Sequence, residues 1–127
     1  MQITLSSIMV DDQNKARTFY TKVLGFVIKN DIPMGEANWL TVVSPEGPAE
    51  IELLLEPAGF PPAKTYQKAL FDAGIPATMF FIDDIQKEYE RLKALGVVFR
   101  SEPTKAGPVT IAVFEDTCGN LLQLCQV

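Results

Sequence analysis

Apolar residues recur along this chain with two different periods, and the chain switches between them in the same order twice. Residues 3–10, ITLSSIMV, form a short β-branched and apolar run that suits a strand. Asp11 or Asp12 then caps a helix whose apolar positions, Ala16, Phe19, Tyr20, Val23 and Leu24, follow helical spacing. Gly25 supplies a left-handed stop. Strands are predicted next at 26–28, 38–43 and 49–56, the last two separated by the turn SPEGP.

The second half repeats this order. ATMFFI, at 77–82, reads as a strand, and Asp83 or Asp84 caps a helix with Ile85, Tyr89, Leu92 and Leu95 on one face. Gly96 stops that helix. Strands are predicted at 97–99, at 109–114 and, after the turn DTCGN, at 121–127. Asp12 and Asp84 are 72 residues apart but Gly25 and Gly96 only 71, so the register slips by one residue inside the helix. Tandem β-α-β-β-β units predict an α+β domain over 1–127, with repeat one at 1–57, a connector at 58–74 and repeat two at 75–127. In the connector, PAGFPPAK reads as a proline-rich linker and TYQKALFDAG as a short amphipathic helix.

Composition narrows the function. At 47% apolar and 21% charged residues, the chain buries a real core. The net charge is −5 with scattered Lys and Arg, which leaves no basic stripe for nucleic acid or an anionic membrane surface. No apolar run is long enough to cross a bilayer, and the N-terminus lacks the basic region of a signal peptide, so a cytoplasmic setting is expected. Cys118 and Cys125 read as two reduced thiols. The chain has no histidine, which excludes triad-type nucleophilic catalysis, and it has no glycine-rich phosphate loop.

The spacing D-x(6)-F-Y-x(3)-L-G-F, on Asp12, Phe19, Tyr20, Leu24, Gly25 and Phe26, joins D-T-C-G-N-x-x-Q-L, which begins at Asp116 and includes Gly119 and Asn120. With Asp84 and Gly96, these residues resemble the vicinal oxygen chelate superfamily of glyoxalase I, the extradiol dioxygenases and the fosfomycin and bleomycin resistance proteins. The resemblance covers nearly the whole chain. It implies that each repeat is a curved mixed sheet forming a half-barrel around a ligand cavity, and that the protein is a homodimer.

Metal-using relatives place one ligand near the start of each repeat and one on its last strand. By that resemblance the four positions here are Leu5 and Ala77, each seven residues before its capping aspartate, with Glu52 and Gln123. Leu5 and Ala77 cannot donate to a metal, so the resemblance implies a member without the usual divalent ion; a metal at Glu52 and Gln123 is the alternative. Strand alternation from Leu5 and Ala77 puts Ser7, Met9, Met79 and Phe81 on the cavity face. Leu54 follows Glu52, Leu121 and Cys125 share a face with Gln123, and Trp39 and Phe114 join from the neighbouring strands. The expected pocket is mostly apolar, with Glu52, Gln123 and Ser7 as its polar groups and Lys105 as a loop clamp for an anion.

An acid among apolar neighbours is expected to have a raised pKa, so Glu52 is the candidate general base. The alternative is structural, with Glu52 and Gln123 hydrogen-bonding across the pseudo-twofold axis. Two functions follow from the resemblance. One is a metal-independent binder of a small molecule. The other is a lyase, isomerase or dioxygenase using an atypical metal or Glu52 as base. A regulator that acts through partners, without a ligand, is a third.

Overall fold

Asp12 caps the first helix: its carboxylate accepts the backbone N–H groups of Asn14 at 2.8 Å and Lys15 at 3.1 Å. The computed structural model describes all 127 residues, in two compact units, Met1–Lys64 and Thr65–Val127. In the first, β1 (Leu5–Val10) leads into α1 (Gln13–Thr18), which runs directly into a π-helical turn at Phe19–Val23. Then come β2 (Val27–Met34), β3 (Ala37–Val43) and β4 (Glu52–Pro57). The strands lie in the order β1-β4-β3-β2, with β1 parallel to β4 and the other pairs antiparallel. Parallel β1 and β4 need a crossover, and α1 with the β2–β3 hairpin supplies it.

The strand predicted over 26–28 is longer than its sequence suggested, because it continues through the polar stretch KND to Met34. As the edge strand it accommodates Pro33, which has no N–H to give a further neighbour. Ile8, Val10, Leu40, Val42 and Leu55 are buried, as are Ala16, Phe19 and Tyr20 from the helical layer, which packs on β3 and β4.

Helix α2 (Pro61–Asp72) crosses the division between the units. The predicted proline-rich linker is therefore partly helical: Pro61 and Pro62 open the first turn, where a missing N–H costs no hydrogen bond. The second unit continues with β5 (Thr78–Phe81), α3 (Ile85–Ala94), β6 (Thr104–Ala106), β7 (Val109–Glu115) and β8 (Leu121–Gln126). Its order is β5-β8-β7-β6, again with a single parallel pair, β5 and β8. The fold is α+β, two four-stranded mixed sheets with one β-α-β-β-β connectivity.

The segment 97–99 is not a strand. It makes a single bridge, Phe99 to Phe114, and the pairing strand forms later, at Thr104–Ala106, inside the predicted loop PTKAGP. Phe99 is instead an aromatic anchor, 4.6 Å from the Tyr89 ring and 5.3 Å from that of Phe114. Ile85, Tyr89 and Leu92 of α3 are buried, with Ala112, Phe114, Leu122 and Leu124 from the sheet.

The one-residue slip between the repeats has a physical location. Gly25 (φ 86°) and Gly96 (φ 88°) both take the left-handed conformation that ends each helix. Asp12 and Gly25 are 13 residues apart, whereas Asp84 and Gly96 are 12 apart. The extra residue is absorbed by the π-helical turn, where the Leu24 N–H reaches five residues back to the Phe19 carbonyl at 3.0 Å.

Candidate functional site

All four strands of the first unit bring side chains together on the sheet face away from the helical layer. In the parallel register Leu5 lies beside Glu52, Ser7 beside Leu54 and Met9 beside Glu56. The β3–β4 register adds Thr41 beside Leu54, and β2–β3 adds Asn30 beside Thr41 and Ile32 beside Trp39. Leu5, Ser7, Met9, Trp39, Glu52 and Leu54 therefore share one face. Much of it is apolar and open: Leu5 is 41% exposed, Ile32 51% and Met34 62%.

Glu52 lies in a cradle of donors from its own sheet. Its Oε1 accepts the Thr41 hydroxyl at 2.7 Å and the Asn30 side-chain amide at 3.0 Å. Its Oε2 lies 3.6 Å from the Lys29 ammonium, which also donates to the Ala49 carbonyl at 3.0 Å. Sequence reasoning missed Thr41, Asn30 and Lys29. Thr41, a lone hydroxyl inside the apolar run NWLTVV, was the available signal. Asn30 and Lys29 lay beyond the predicted end of their strand.

A β-bulge explains how both reach Glu52. Ile28 pairs with buried Val42 and Asn30 pairs with Thr41, so the register shifts between them and leaves Lys29 as the extra residue. In an unbroken ladder Asn30 would oppose Leu40 and point to the opposite face, because a one-residue slip inverts every side chain. The bulge sets two β2 residues against one on β3.

This cradle overturns one expectation. The Glu52 carboxyl is held below the usual carboxylate range, chiefly by the Thr41 hydroxyl, against the opposing effect of desolvation, with Asn30 and Lys29 adding to the downward shift. Burial among apolar neighbours does not raise it, because three donors favour the charged form. At neutral pH Glu52 is an anion with weakened affinity for a proton.

In the second unit Gln123 lies beside Met79 and Val113, and Phe81 beside Cys125 and Ile111 across one further strand. Ala77 falls just outside β5 and donates its N–H to the Leu121 carbonyl at 2.8 Å, so it is not directly opposite Gln123. The flanking positions that carry Thr41 and Leu5 in the first unit are apolar here, and Gln123 has no comparable cradle. Phe114 lies on the other face: it pairs with Leu122, is fully buried and packs against Phe99. Phe114 is therefore not the counterpart of Trp39 on a cavity face; Ile111 and Val113 share the Gln123 face instead. Lys105 is an exposed residue of β6 opposite Thr110. Cys118 and Cys125 are both buried, and neither is in a disulfide.

The DTCGN turn is structural. Asp116, fully buried, accepts the N–H groups of Cys118 at 2.7 Å and Asn120 at 2.9 Å, and the Asn120 side-chain amide at 2.8 Å. Gln67 of α2 donates to the Cys118 carbonyl at 3.1 Å and to Asn120 Oδ1 at 3.2 Å, fixing the helix to the turn.

The residues at the four metal positions do not fit a divalent ion. Leu5 and Ala77 have no donor atom, Oε1 of Glu52 is already engaged by two donors, and the cation beside Oε2 is an ammonium.

Two mixed sheets of one connectivity, each with a helical layer on one face, are the architecture expected of the superfamily named above. Residues 2–124 match the Glyoxalase/Bleomycin resistance protein/Dioxygenase superfamily, and the chain belongs to it. The uncharacterized protein YurT of Bacillus subtilis (strain 168) is 59% identical over 126 residues, 99% of each chain. The crystal structure of UcmS2 is similar at a TM-score of 0.84 and 33% identity, covering 98% of this chain and 97% of that one. TnmS3, an antibiotic binding protein from Streptomyces sp. CB03234, is similar at a TM-score of 0.74 and 27% identity, covering 99% and 95%.

Proposed function

We propose that the protein binds an apolar small molecule on the Glu52 face of its first unit and does no chemistry on it. The observation that carries this reading is the donor-held Glu52 beside exposed Leu5, Ile32 and Met34 and half-buried Trp39. Such a surface supplies apolar contact area and one fixed polar point, the usual composition of a small-molecule site. Similarity to an antibiotic binding protein supports the same reading. A general base needs a pKa close to the working pH, and the cradle moves Glu52 away from it. The resemblance extends the reading to a homodimer in the cytoplasm; light scattering tests the former.

Trp39 is the only tryptophan of the chain and lies on this face, so it reports occupancy directly. A broad library of uncharged aromatic compounds is screened by thermal shift, and hits are titrated against Trp39 emission. Ligands raise the melting temperature by mass action and change the emission saturably. If no compound does both, the reading fails.

A further inference from the structure

We propose that Lys29 sets the charge selectivity of this face, tuning it to uncharged hydrogen-bond donors and against cations. The inference rests on the reading of the Glu52 face as a ligand site. A carboxylate on an apolar surface would by itself recruit an ammonium or guanidinium group. Here that place is already taken: Lys29 Nζ lies 3.6 Å from Glu52 Oε2, and its bond to the Ala49 carbonyl at 3.0 Å tethers it there.

The local charge is therefore balanced. Oε1 accepts from both Thr41 and Asn30, while Oε2 lies 3.6 Å from the Lys29 ammonium, one of whose N–H groups is held by the Ala49 carbonyl. A neutral hydroxyl or amide N–H can share Oε2 without displacing the lysine. A cation must approach a like charge or expel it. Glu56, the other acid of this strand face, is four residues further along, about 13 Å at ordinary strand rise, beyond the screening length at physiological salt.

The arrangement depends on the bulge. As the unpaired residue between Ile28 and Asn30, Lys29 reaches the same carboxylate as its neighbour, which simple alternation forbids. Bulges re-aim side chains beside functional sites, and this one delivers both a neutral donor and a cation to a single acid.

The test compares two probes of nearly the same shape, 4-nitrobenzyl alcohol and 4-nitrobenzylammonium, whose nitro group quenches tryptophan. Both are titrated against Trp39 emission at pH 7 in the parent, Lys29→Met and Lys29→Arg. The parent binds the alcohol more tightly. Lys29→Met moves the alcohol-to-ammonium affinity ratio toward the cation by about fivefold, the upper range for a partly exposed ion pair. Lys29→Arg keeps the parental ratio while Lys29→Met shifts it, a contrast that a merely structural role for the lysine stem would not predict. Saturable binding with the same ratio in all three proteins, or a parent that prefers the ammonium, overturns the role of Lys29 and leaves the ligand site standing. Failure of both probes to quench saturably in the parent removes the proposal together with the site.

Discussion

The hydroxyl of Thr41 donates to Oε1 of Glu52 at 2.7 Å, joining β3 to β4 on the face where the first unit exposes its apolar side chains. That bond decides the chemistry of the acid. It is the largest cause of the lowered proton affinity of Glu52, and it holds the carboxylate in a fixed position.

Stability should fall in acid through this group. A carboxylate whose folded pKa lies below its unfolded value of 4.5 contributes stability that is present above pH 4.5 and is lost as the pH drops through the folded value. Asp31, lowered by Arg17 and then Asn38, acts in the same direction below its own unfolded value of 3.8. Urea midpoints measured from pH 7 to pH 3 should therefore decline below about pH 4.5. Glu52→Gln should be less stable than the parent at pH 7 and nearly equal to it at pH 3. A constant difference across the range would contradict the role of the cradle.

Asp116→Ala should destabilise the protein by about 3 kcal/mol, because it strands three buried donors at once. Asp116→Asn, which keeps one acceptor for the two backbone N–H groups, should lose less. Urea denaturation at pH 7 gives both values, and equal losses would mean that the hydrogen bonds are not what the aspartate supplies.

Gly119 is held at φ 99°, and a Cβ there would come within 2.8 Å of the Gln67 side chain. Gly119→Ala should therefore cost backbone strain plus displacement of Gln67, about 1–3 kcal/mol together. Gln67→Ala removes the clash but not the strain. The double variant should accordingly be more stable than the sum of the two single losses predicts. Additivity in the four-protein cycle would show that α2 yields freely at this contact.

Deleting exposed Lys22 from the π-helical turn should leave a folded protein, since the second unit joins the same cap to the same glycine with one residue fewer. Circular dichroism and the urea midpoint test this. Loss of cooperative unfolding would mean that the wide turn is required for the packing of Phe19 and Tyr20.

Local chemistry was legible in the sequence where it acts locally. Asp12, Asp84, Gly25 and Gly96 cap and stop their helices as their residue types dictate. What depended on pairing across strands was hidden. The polar KND stretch looked like the end of a strand, because nothing in it reveals that β3 lies alongside with a bulge. Phe114 was expected on the cavity as the match of Trp39, but it lies on the opposite, buried face, because matching positions between repeats does not fix which face a strand residue takes. Met79, rather than Ala77, stands beside Gln123, since counting from a cap fixes one strand and says nothing of its neighbour's offset.

The wide turn at Phe19–Val23 also bears on how twin units come to differ. A residue gained in the helical layer is swallowed before the chain re-enters the sheet, so the phase of β2 is set by Gly25 and not by the distance from Asp12. The two copies can thus drift apart in length while their strands keep step. That freedom leaves one copy able to acquire a bulge, a lysine and a cradled acid while the other keeps the apolar version of the same surface.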